Sequence, residues 1–367
     1  MEQPRIKPEH DAFRTRGGNV RIGGGVHGIA AEIEDPDGWV WSLVVACDGT
    51  RRRDAIVAEV RRTHPALSEA DVTGAIDDLI AAGHVEDAAA PPPPGLSPRE
   101  RERYGRSAQY YRWTDPLPRE SIWEVQMRLK ESRVLVVGLG GAGGAAAMAL
   151  AAAGVGDLHC VDFDRVELSN LNRQILYTEG DLGRSKVDVA VERLRQLNSD
   201  ITVTGEHARI ERLEDFLPLL EGRDLMVLAA DGPDGIRHWA NRACLKTGTP
   251  WVEGGYHGPH MVTGGYVPGE GACWECLRLG EQRRLDLGLV SDDARAKGQP
   301  RAPGHPVTAV TAVISGQLKA HWAIALLTGA ARVRPGTAWG LNLMAPDEPP
   351  VVSYPRQPDC PACGDRP

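Results

Sequence analysis

Short runs of apolar residues in the middle of the chain are separated by glycine-rich or polar segments. RVLVV at 133–137 and LMVLAA at 225–230 are buried-strand patterns, and LHCV at 158–161 lies between them. Runs of four to six apolar residues bounded by turn signals are typical of strands inside a sheet. The first run is followed at once by a glycine-rich turn and an alanine-rich helical stretch, which predicts a βαβ unit. We therefore predict an α/β fold for the larger part of the chain.

The first 87 residues follow another pattern. Residues 20–34 and 38–49 are rich in β-forming side chains on either side of a turn at Asp35–Gly38, and they predict strands. The segments RRDAIVAEVRRTHP and LSEADVTGAIDDLIAAG predict two amphipathic helices, the second capped by Ser68 and ended by Gly83. Strands followed by short helices predict a small winged-helix-like α+β domain. The pattern alone fits a passive N-terminal extension equally well.

A proline-rich joint, AAAPPPPG, separates the two patterns. Four consecutive prolines cannot propagate a helix or a central strand, and they favour an extended, semi-rigid spacer. The predicted organisation is a domain at 1–87, a linker at 88–95 and a second domain at 96–367.

Chain length agrees with two domains, and the net charge bears on nucleic-acid and membrane partners. The chain has 367 residues and a net charge of −8, which gives no indication of binding to nucleic acid or to an anionic membrane. The N-terminus lacks a basic and then apolar signal pattern. The most apolar later stretch, 307–327, carries Gln317, Lys319 and His321, so we expect a buried core helix rather than a membrane span. We expect a cytoplasmic protein.

Four of the seven cysteines have metal-ligand spacing. Cys273 and Cys276 form one Cys-x-x-Cys pair, and Cys360 and Cys363 form another. Two such pairs predict a tetrahedral zinc site, and four thiolates leave no open position for water or substrate, so the zinc is expected to be structural. The other cysteines lie in apolar runs and are expected to be inert core residues; they are Cys47, Cys160 and Cys244.

The glycine-rich turn after the first strand predicts a nucleotide site. Its glycines allow a tight turn and a close approach of the backbone to phosphate, which then faces the N-terminus of the next helix. The glycines concerned are Gly138, Gly140, Gly141 and Gly143. The next strand ends in Asp162 and Asp164, which are placed to accept hydrogen bonds from ribose hydroxyls. A purely structural glycine turn would not explain the two acids.

Polar residues beyond this strand favour a triphosphate over a dinucleotide. Asn170, Arg173 and Gln174 follow it, and Lys186 comes shortly after. Cations close to a phosphate loop suit a reaction whose leaving group must be neutralised. Asp231 ends a further strand, where a carboxylate could hold Mg²⁺ between phosphates, although Asp in a D-G-P sequence is also a common turn residue.

Together these motifs resemble the E1-like (ThiF/MoeB) adenylyltransferase superfamily. The resemblance rests on G-x-G-G-x-G, D-x-D-x-V-x-x-S-N-L-N-R-Q, G-x-x-K, the strand-ending Asp and the paired Cys-x-x-Cys, from about Leu96 onward. It implies a Rossmann-like domain with a structural zinc and ATP and Mg²⁺ as cofactors. It also implies site roles: Arg173 and Lys186 on the phosphates, Asn170 and Gln174 in the ATP pocket, Asp162 and Asp164 on ribose, and Asp231 on Mg²⁺.

The segment RERYGRSAQYY resembles the family's R-Y-x-R-Q sequence, in which the second arginine reaches the ATP of the partner subunit. This implies that Arg106 is an arginine finger in trans and that the protein is a homodimer. The sequence departs from the family at Ser107, where the family has Gln.

Two features bear on the substrate. The segment from Arg278 to His305 contains no cysteine, which argues against thioester or acyl-disulfide chemistry there; its composition predicts a mobile loop that closes over a peptide. The sequence between 228 and 276 resembles the peptide-modifying branch typified by the microcin C7 adenylyltransferase. Residues 1–87 are similar to the PqqD-type element, which binds the leader of a ribosomally made precursor peptide by strand addition.

The sequence therefore predicts ATP-dependent adenylation of a carboxylate on a ribosomally synthesised precursor peptide, with a downstream modifying enzyme as a further partner. Two alternatives stay open. One is a sulfur-carrier adenylyltransferase of the ThiF/MoeB type, and the other is a non-catalytic protein that delivers the leader to a cyclodehydratase.

Overall fold

The computed structural model describes residues 1–115, 117–286 and 306–364. Its contacts divide the chain into two units. The first contains residues 1–128 and 328–332, and the second contains 129–327 and 333–367. The crossover predicted to be a mobile loop falls largely at 287–305, outside the described residues.

The first unit contains two small antiparallel sheets and a group of helices. β1 pairs with β5, and β2, β3 and β4 form a three-stranded sheet. The elements are β1 (Pro4–Ile6), β2 (Phe13–Arg14), β3 (Val20–Ile22), β4 (Ala31–Ile33), α1 (Trp39–Ala46), α2 (Arg53–Thr63), α3 (Glu69–Ala81), β5 (Val85–Asp87), α4 (Pro98–Thr114) and α5 (Glu124–Glu131), the last crossing the boundary between the units.

The strand predicted at 38–49 is wrong, because this segment forms helix α1. The Asp35 carboxylate accepts hydrogen bonds from the backbone N–H groups of Val40 and Trp41, both at 3.0 Å, and so satisfies donors that a helix start leaves free. Val40, Leu43 and Val44 are buried at helical spacing. Tertiary burial of this face outweighs the β propensity of Val and Trp.

The two predicted amphipathic helices are confirmed as α2 and α3. Ser68 and Asp71 form a capping box at the start of α3, and Gly83 follows its end at a φ of 77°. Helix α4 belongs to the same unit, since Lys7 Nζ donates to the Asp115 carbonyl at 3.2 Å. The contact boundary thus falls after Arg128, later in the chain than the predicted joint at 88–95.

A buried histidine pair joins the residue before β5 to the N-terminal segment, and it predicts that this unit is sensitive to acid. His84 Nδ1 lies 3.0 Å from His10 Nδ1, and His10 Nε2 lies 2.7 Å from the Trp113 carbonyl oxygen. Burial, together with the neighbouring His10, lowers the pKa of His84 to about 4. The unfolded chain therefore takes up a proton near pH 6.5 that the folded chain takes up only near pH 4.

Stability should accordingly fall as the pH is lowered from about 6.5 to about 4, by about 3 kcal/mol in all. We expect urea unfolding of the wild type to show this loss and His84→Gln to reduce it strongly. The exposed His207, changed to Gln, is the control and should leave the pH dependence unchanged. An identical pH profile in wild type and His84→Gln would contradict the assignment.

The second unit is built on one eight-stranded mixed sheet. The strand order is β13-β12-β11-β10-β9-β6-β7-β8, parallel from β10 to β8 and antiparallel from β10 to β13. The elements are β6 (Arg133–Val137), α6 (Gly141–Ala153), β7 (Asp157–Val161), α7 (Lys186–Leu197), β8 (Thr202–Glu206), α8 (Phe216–Leu220), β9 (Leu225–Leu228), α9 (Ile236–Thr247), β10 (Trp251–His257), β11 (His260–Tyr266), α10 (Trp274–Asp286), α11 (Ala309–Thr328), β12 (Thr337–Asn342) and β13 (Val351–Ser353).

The sheet places a ligand crevice at its centre. β6 is the first strand of the parallel part, with β7 on one side and β9 on the other. The chain direction of the connections reverses there, and in α/β sheets the carboxyl ends of strands at such a point border the ligand site. The predicted α/β architecture is confirmed.

Helix α11 is the one described helix that is long and apolar enough to span a membrane. Half of its most apolar window is buried within the structure, and the core helix of a globular domain passes the same test. Gly316 permits close packing against α6, because a Cβ at that position would overlap the Ala142 carbonyl oxygen.

Candidate nucleotide site

The glycine turn after β6 leaves no room for side chains at two positions. Gly138 has a φ of 89°, and a Cβ there would lie 2.6 Å from the backbone nitrogen of Ala230 at the end of β9. A Cβ on Gly143 would overlap the Gly138 carbonyl oxygen. The turn therefore packs directly on the neighbouring strand end. Helix α6 begins at Gly141 with no side-chain cap, and Gly140, Gly141 and Ala142 at its start line the crevice.

Asp162 at the end of β7 holds this turn in place. One carboxylate oxygen accepts from the Leu139 N–H at 2.6 Å, and the other accepts from the Asp164 N–H at 2.7 Å. Asp164 in turn forms an ion pair with Lys186 Nζ at 2.9 Å. Lys186 is buried and is the first residue of α7, so its ammonium is fixed beside the glycine turn.

The residues after β7 continue the wall of the crevice. Asn170 ends a short 3₁₀ helix and accepts from the Glu167 N–H at 3.2 Å. Arg173 is half-buried and donates to the Ser169 carbonyl at 2.9 Å. Gln174 is buried, and its Oε1 has no hydrogen-bond partner among the described residues, which leaves an acceptor for a ligand.

Asp231 follows β9 on the opposite side of the turn. It is exposed, and its Oδ1 accepts from Arg237 Nη2 at 2.9 Å. The same guanidinium donates from Nε to Glu253 at 3.1 Å. A divalent cation bound to phosphates needs only one or two carboxylates from the protein. Its Oδ2, for which the described residues provide no ion-pair partner, fits that role.

These side chains share one cavity of about 710 Å³. Ten of the twelve residues predicted for the nucleotide and its chemistry line it: Gly138, Gly140, Gly141, Asp162, Asp164, Asn170, Arg173, Gln174, Lys186 and Asp231. Gly143 lies behind the turn and supports it. Arg106 does not line this cavity; it is an exposed residue of α4, in the first unit.

A second cavity of about 730 Å³ adjoins the first. Asp231, Arg237 and Tyr256 are among the residues that line both. It continues along α9 and β10 to Trp274 at the start of α10. A ligand in the second cavity can therefore reach one in the first at the Asp231 end.

The four predicted zinc ligands are brought together. Their sulfurs are buried and all lie within 4.8 Å of one another. Cys273 Sγ is 3.8 Å from that of Cys276 and 3.6 Å from that of Cys360, and Cys276 Sγ is 3.4 Å from that of Cys363. Tetrahedral zinc with bonds of about 2.3 Å gives sulfur separations of about 3.8 Å. The cluster fits a zinc ion without rearrangement.

A sequence profile of the ThiF family matches residues 114–362, about two thirds of the chain. The chain belongs to the ThiF family. It contains the family's α/β core, with the first unit's residues 1–113 preceding the matched region.

Curated relatives support this membership. The SAMP-activating enzyme E1 of Haloferax volcanii is 34% identical over 245 residues, which is 66% of this chain and 84% of that protein. The sulfur carrier protein ThiS adenylyltransferase of Escherichia coli is 41% identical over 157 residues, 41% of this chain and 60% of that protein. A third, the adenylyltransferase and sulfurtransferase MOCS3 of Culex quinquefasciatus, is 40% identical over 152 residues, 41% of this chain; the chain spans only 34% of its length.

Solved structures match the whole chain. Escherichia coli MccB superposes with a TM-score of 0.76 at 22% identity, over 100% of this chain and 98% of that chain. A protein named PaaA gives 0.67 at 22% identity, over 96% and 100%. At this identity the likeness concerns the fold, and it includes the first unit as well as the ThiF family region.

The sequence analysis did not predict some of the residues that line the nucleotide cavity. Phe163, between the two predicted acids, presents an exposed ring on its wall, with the Arg209 guanidinium 4.9 Å from the ring centroid. Lys319 of α11 also lines it, although it was predicted only as part of a core helix. Its position in an apolar run could have indicated a functional role, because a fully buried lysine almost always has a partner.

Proposed function

We propose that this chain is an ATP-dependent adenylyltransferase that activates a carboxylate of a ribosomally synthesised peptide. The main support is the single cavity in which the glycine turn, Arg173, Lys186 and Asp231 meet. A helix N-terminus, two cations and one carboxylate for Mg²⁺ form the set of groups that a transferring triphosphate needs.

In the proposed step a carboxylate oxygen attacks the α-phosphorus of ATP. A bond forms between this oxygen and the α-phosphorus, and the bond from the α-phosphorus to the pyrophosphate oxygen breaks. The products are an acyl-adenylate and pyrophosphate. A carboxylate is already ionised at neutral pH, so no general base is required. Mg²⁺, when bound, neutralises charge on the leaving group. Arg173 and Lys186 would stabilise the same charge from the protein side.

A peptide substrate is supported by the likeness over the whole chain. The similar solved structures include Escherichia coli MccB with ATP and the microcin C7 biosynthetic enzyme MccB in complex with N-formylated MccA. We propose that the first unit binds the leader of the peptide; it lies in the region that these structures also cover. The second cavity leads to the Asp231 end of the nucleotide site and would receive the peptide carboxylate.

A sulfur-carrier adenylyltransferase is the second possibility. It is favoured by curated relatives such as the ThiS adenylyltransferase of Escherichia coli, whose identity to this chain is higher than that of the solved structures. A non-catalytic delivery protein is less favoured. Such a protein does not act on ATP and would not need the buried, ion-paired Lys186 in the nucleotide cavity.

ATP–pyrophosphate exchange tests these possibilities. We expect exchange when short peptides encoded beside the gene are added, and none with a sulfur-carrier protein that ends in Gly-Gly. Asp231→Asn should lower exchange about 100-fold, because the Mg²⁺ ligand is lost while the shape is kept. Asp347→Asn, on an exposed loop after β12, is the matched control and should exchange normally.

Exchange with the carrier protein alone would select the sulfur-carrier function. Absence of exchange with every peptide, together with peptide binding that Asp231→Asn leaves unchanged, would select the delivery protein.

A further inference from the structure

Lys319 is a fully buried charge without a charged partner at contact distance. It is 1% exposed, and its ammonium donates to Ser315 Oγ at 3.1 Å on the same helix. Within the part of the chain that the structure describes, no carboxylate lies within ion-pair distance of it. An ammonium has three donors, so two are left for a ligand.

Lys319 is one of the residues that line the nucleotide cavity. Helix α11 packs closely on the start of helix α6. A Cβ added to Gly141 of α6 would lie only 2.8 Å from the Cβ of Ala312 of α11. The position of Lys319 is therefore fixed by packing on the same element that presents the glycine turn.

The charged residues that act on Lys319 lie around Asp231, which follows the strand end on which the glycine turn packs. Glu253, Asp231 and Arg237 act on it electrostatically; Asp231 and Arg237 line both cavities, and Glu253 lines the second. Arg237 pairs with both acids. Burial lowers the pKa of Lys319 to about 8, while these two acids act in the opposite direction and favour its charged form.

A substrate carboxylate must approach the negatively charged α-phosphate of ATP. That approach brings like charges together, and the proposed function already assigns Arg173 and Lys186 to the leaving pyrophosphate. A further cation is needed beside the incoming carboxylate, where the second cavity adjoins the first.

We propose that the Lys319 ammonium binds the carboxylate that is activated, and then the carbonyl oxygen of the acyl-adenylate. This inference rests on the proposed adenylation. The carboxylate oxygen that does not attack phosphorus accepts the hydrogen bond from Nζ. It remains bound as the carbonyl oxygen when pyrophosphate departs, so no proton is transferred in the step.

Lys319→Met tests the proposal without knowledge of the peptide. The probes are AMP, which carries the α-phosphoryl group and no acyl group, and 5′-O-(N-acetylsulfamoyl)adenosine, which mimics an acyl-adenylate. We expect Lys319→Met to raise the Kd of the acyl probe about 30-fold and that of AMP less than about threefold, the range for one charge-assisted hydrogen bond. Gln317→Met, an exposed change on the same helix, should alter neither Kd.

Thermal unfolding of the ligand-free protein separates this function from a structural role. A buried cation kept for a ligand costs stability, so Lys319→Met should raise Tm. A cation that supports the fold would give a lower Tm when removed. A lower Tm with an unchanged acyl-probe Kd would overturn the proposal.

The two probes also distinguish the possible anions. Equal weakening of AMP and the acyl probe would assign Lys319 to the α-phosphoryl group and contradict a carboxylate role. If the wild type binds both probes and Lys319→Met retains acyl-probe affinity, the assignment of Lys319 fails while adenylation stands. If the wild type binds neither probe, adenylation and this inference fail together.

Discussion

Lys186→Met is expected to lower the kcat/KM of ATP–pyrophosphate exchange about 10³-fold, which corresponds to about 4 kcal/mol of transition-state stabilisation. The reason is position. The ammonium is buried beside the glycine turn and is held by Asp164 at 2.9 Å, so it is already oriented before ATP binds. A preorganised cation in a site shielded from water stabilises a leaving pyrophosphate far more than a mobile surface cation does.

Methionine keeps the apolar stem of the side chain, so the fold should be retained. Asp164 is half exposed and can be solvated once its partner is removed, which limits the loss of stability. Lys246→Met, at an exposed lysine in the last turn of α9, makes the same chemical change outside both cavities. It should exchange at the wild-type rate. Equal exchange activity of the two variants would contradict the role proposed for Lys186.

The same variant can test the role proposed for Arg106. If Arg106 acts on the ATP of a partner subunit, Arg106→Ala and Lys186→Met damage different halves of each site. Mixing the two inactive proteins should then restore part of the exchange activity, because some mixed dimers contain one intact site. No recovery on mixing, with subunit exchange verified, would place Arg106 outside the reaction.

The sequence was sufficient for those parts of the fold that depend on local steric rules. Gly138 and Gly143 are examples: a side chain at either would collide with backbone, so glycine is required and visible in the sequence. The cysteine spacing was equally informative, because a metal restricts the distances between its ligands.

The sequence was misleading where tertiary contacts decide the outcome. Residues 38–49 have β-forming side chains, yet Asp35 caps them as a helix whose apolar face is buried. Lys319 was hidden for a related reason. Its chemistry depends on its surroundings in the fold, and the charged residues that act on it come from α9, β10 and the segment after β9, far away in the sequence.

Removal of the zinc is expected to have the largest effect on stability. The cluster joins the start of α10 to the C-terminal segment, 87 residues away in the chain. The Gln357 N–H donates to Cys276 Sγ at 3.3 Å, and Asn241 Nδ2 lies 3.6 Å from Cys273 Sγ, so neighbouring groups already orient the sulfurs. Binding energy at a structural zinc site is folding energy, because the unfolded chain has no such site.

We therefore expect one zinc per chain by elemental analysis, and a loss of more than about 5 kcal/mol of stability for Cys276→Ser or after chelation. The matched control is Cys244→Ser, at a cysteine that is equally buried in the same hydrophobic core but outside the cluster. This variant should keep its zinc, and its free energy of unfolding should fall by only about 1–3 kcal/mol, the cost of burying a hydroxyl group. Because Cys276 lies outside the nucleotide cavity, ATP affinity should fall only as the folded fraction falls. A zinc-free wild type of full stability would show that these four thiols hold no structural metal.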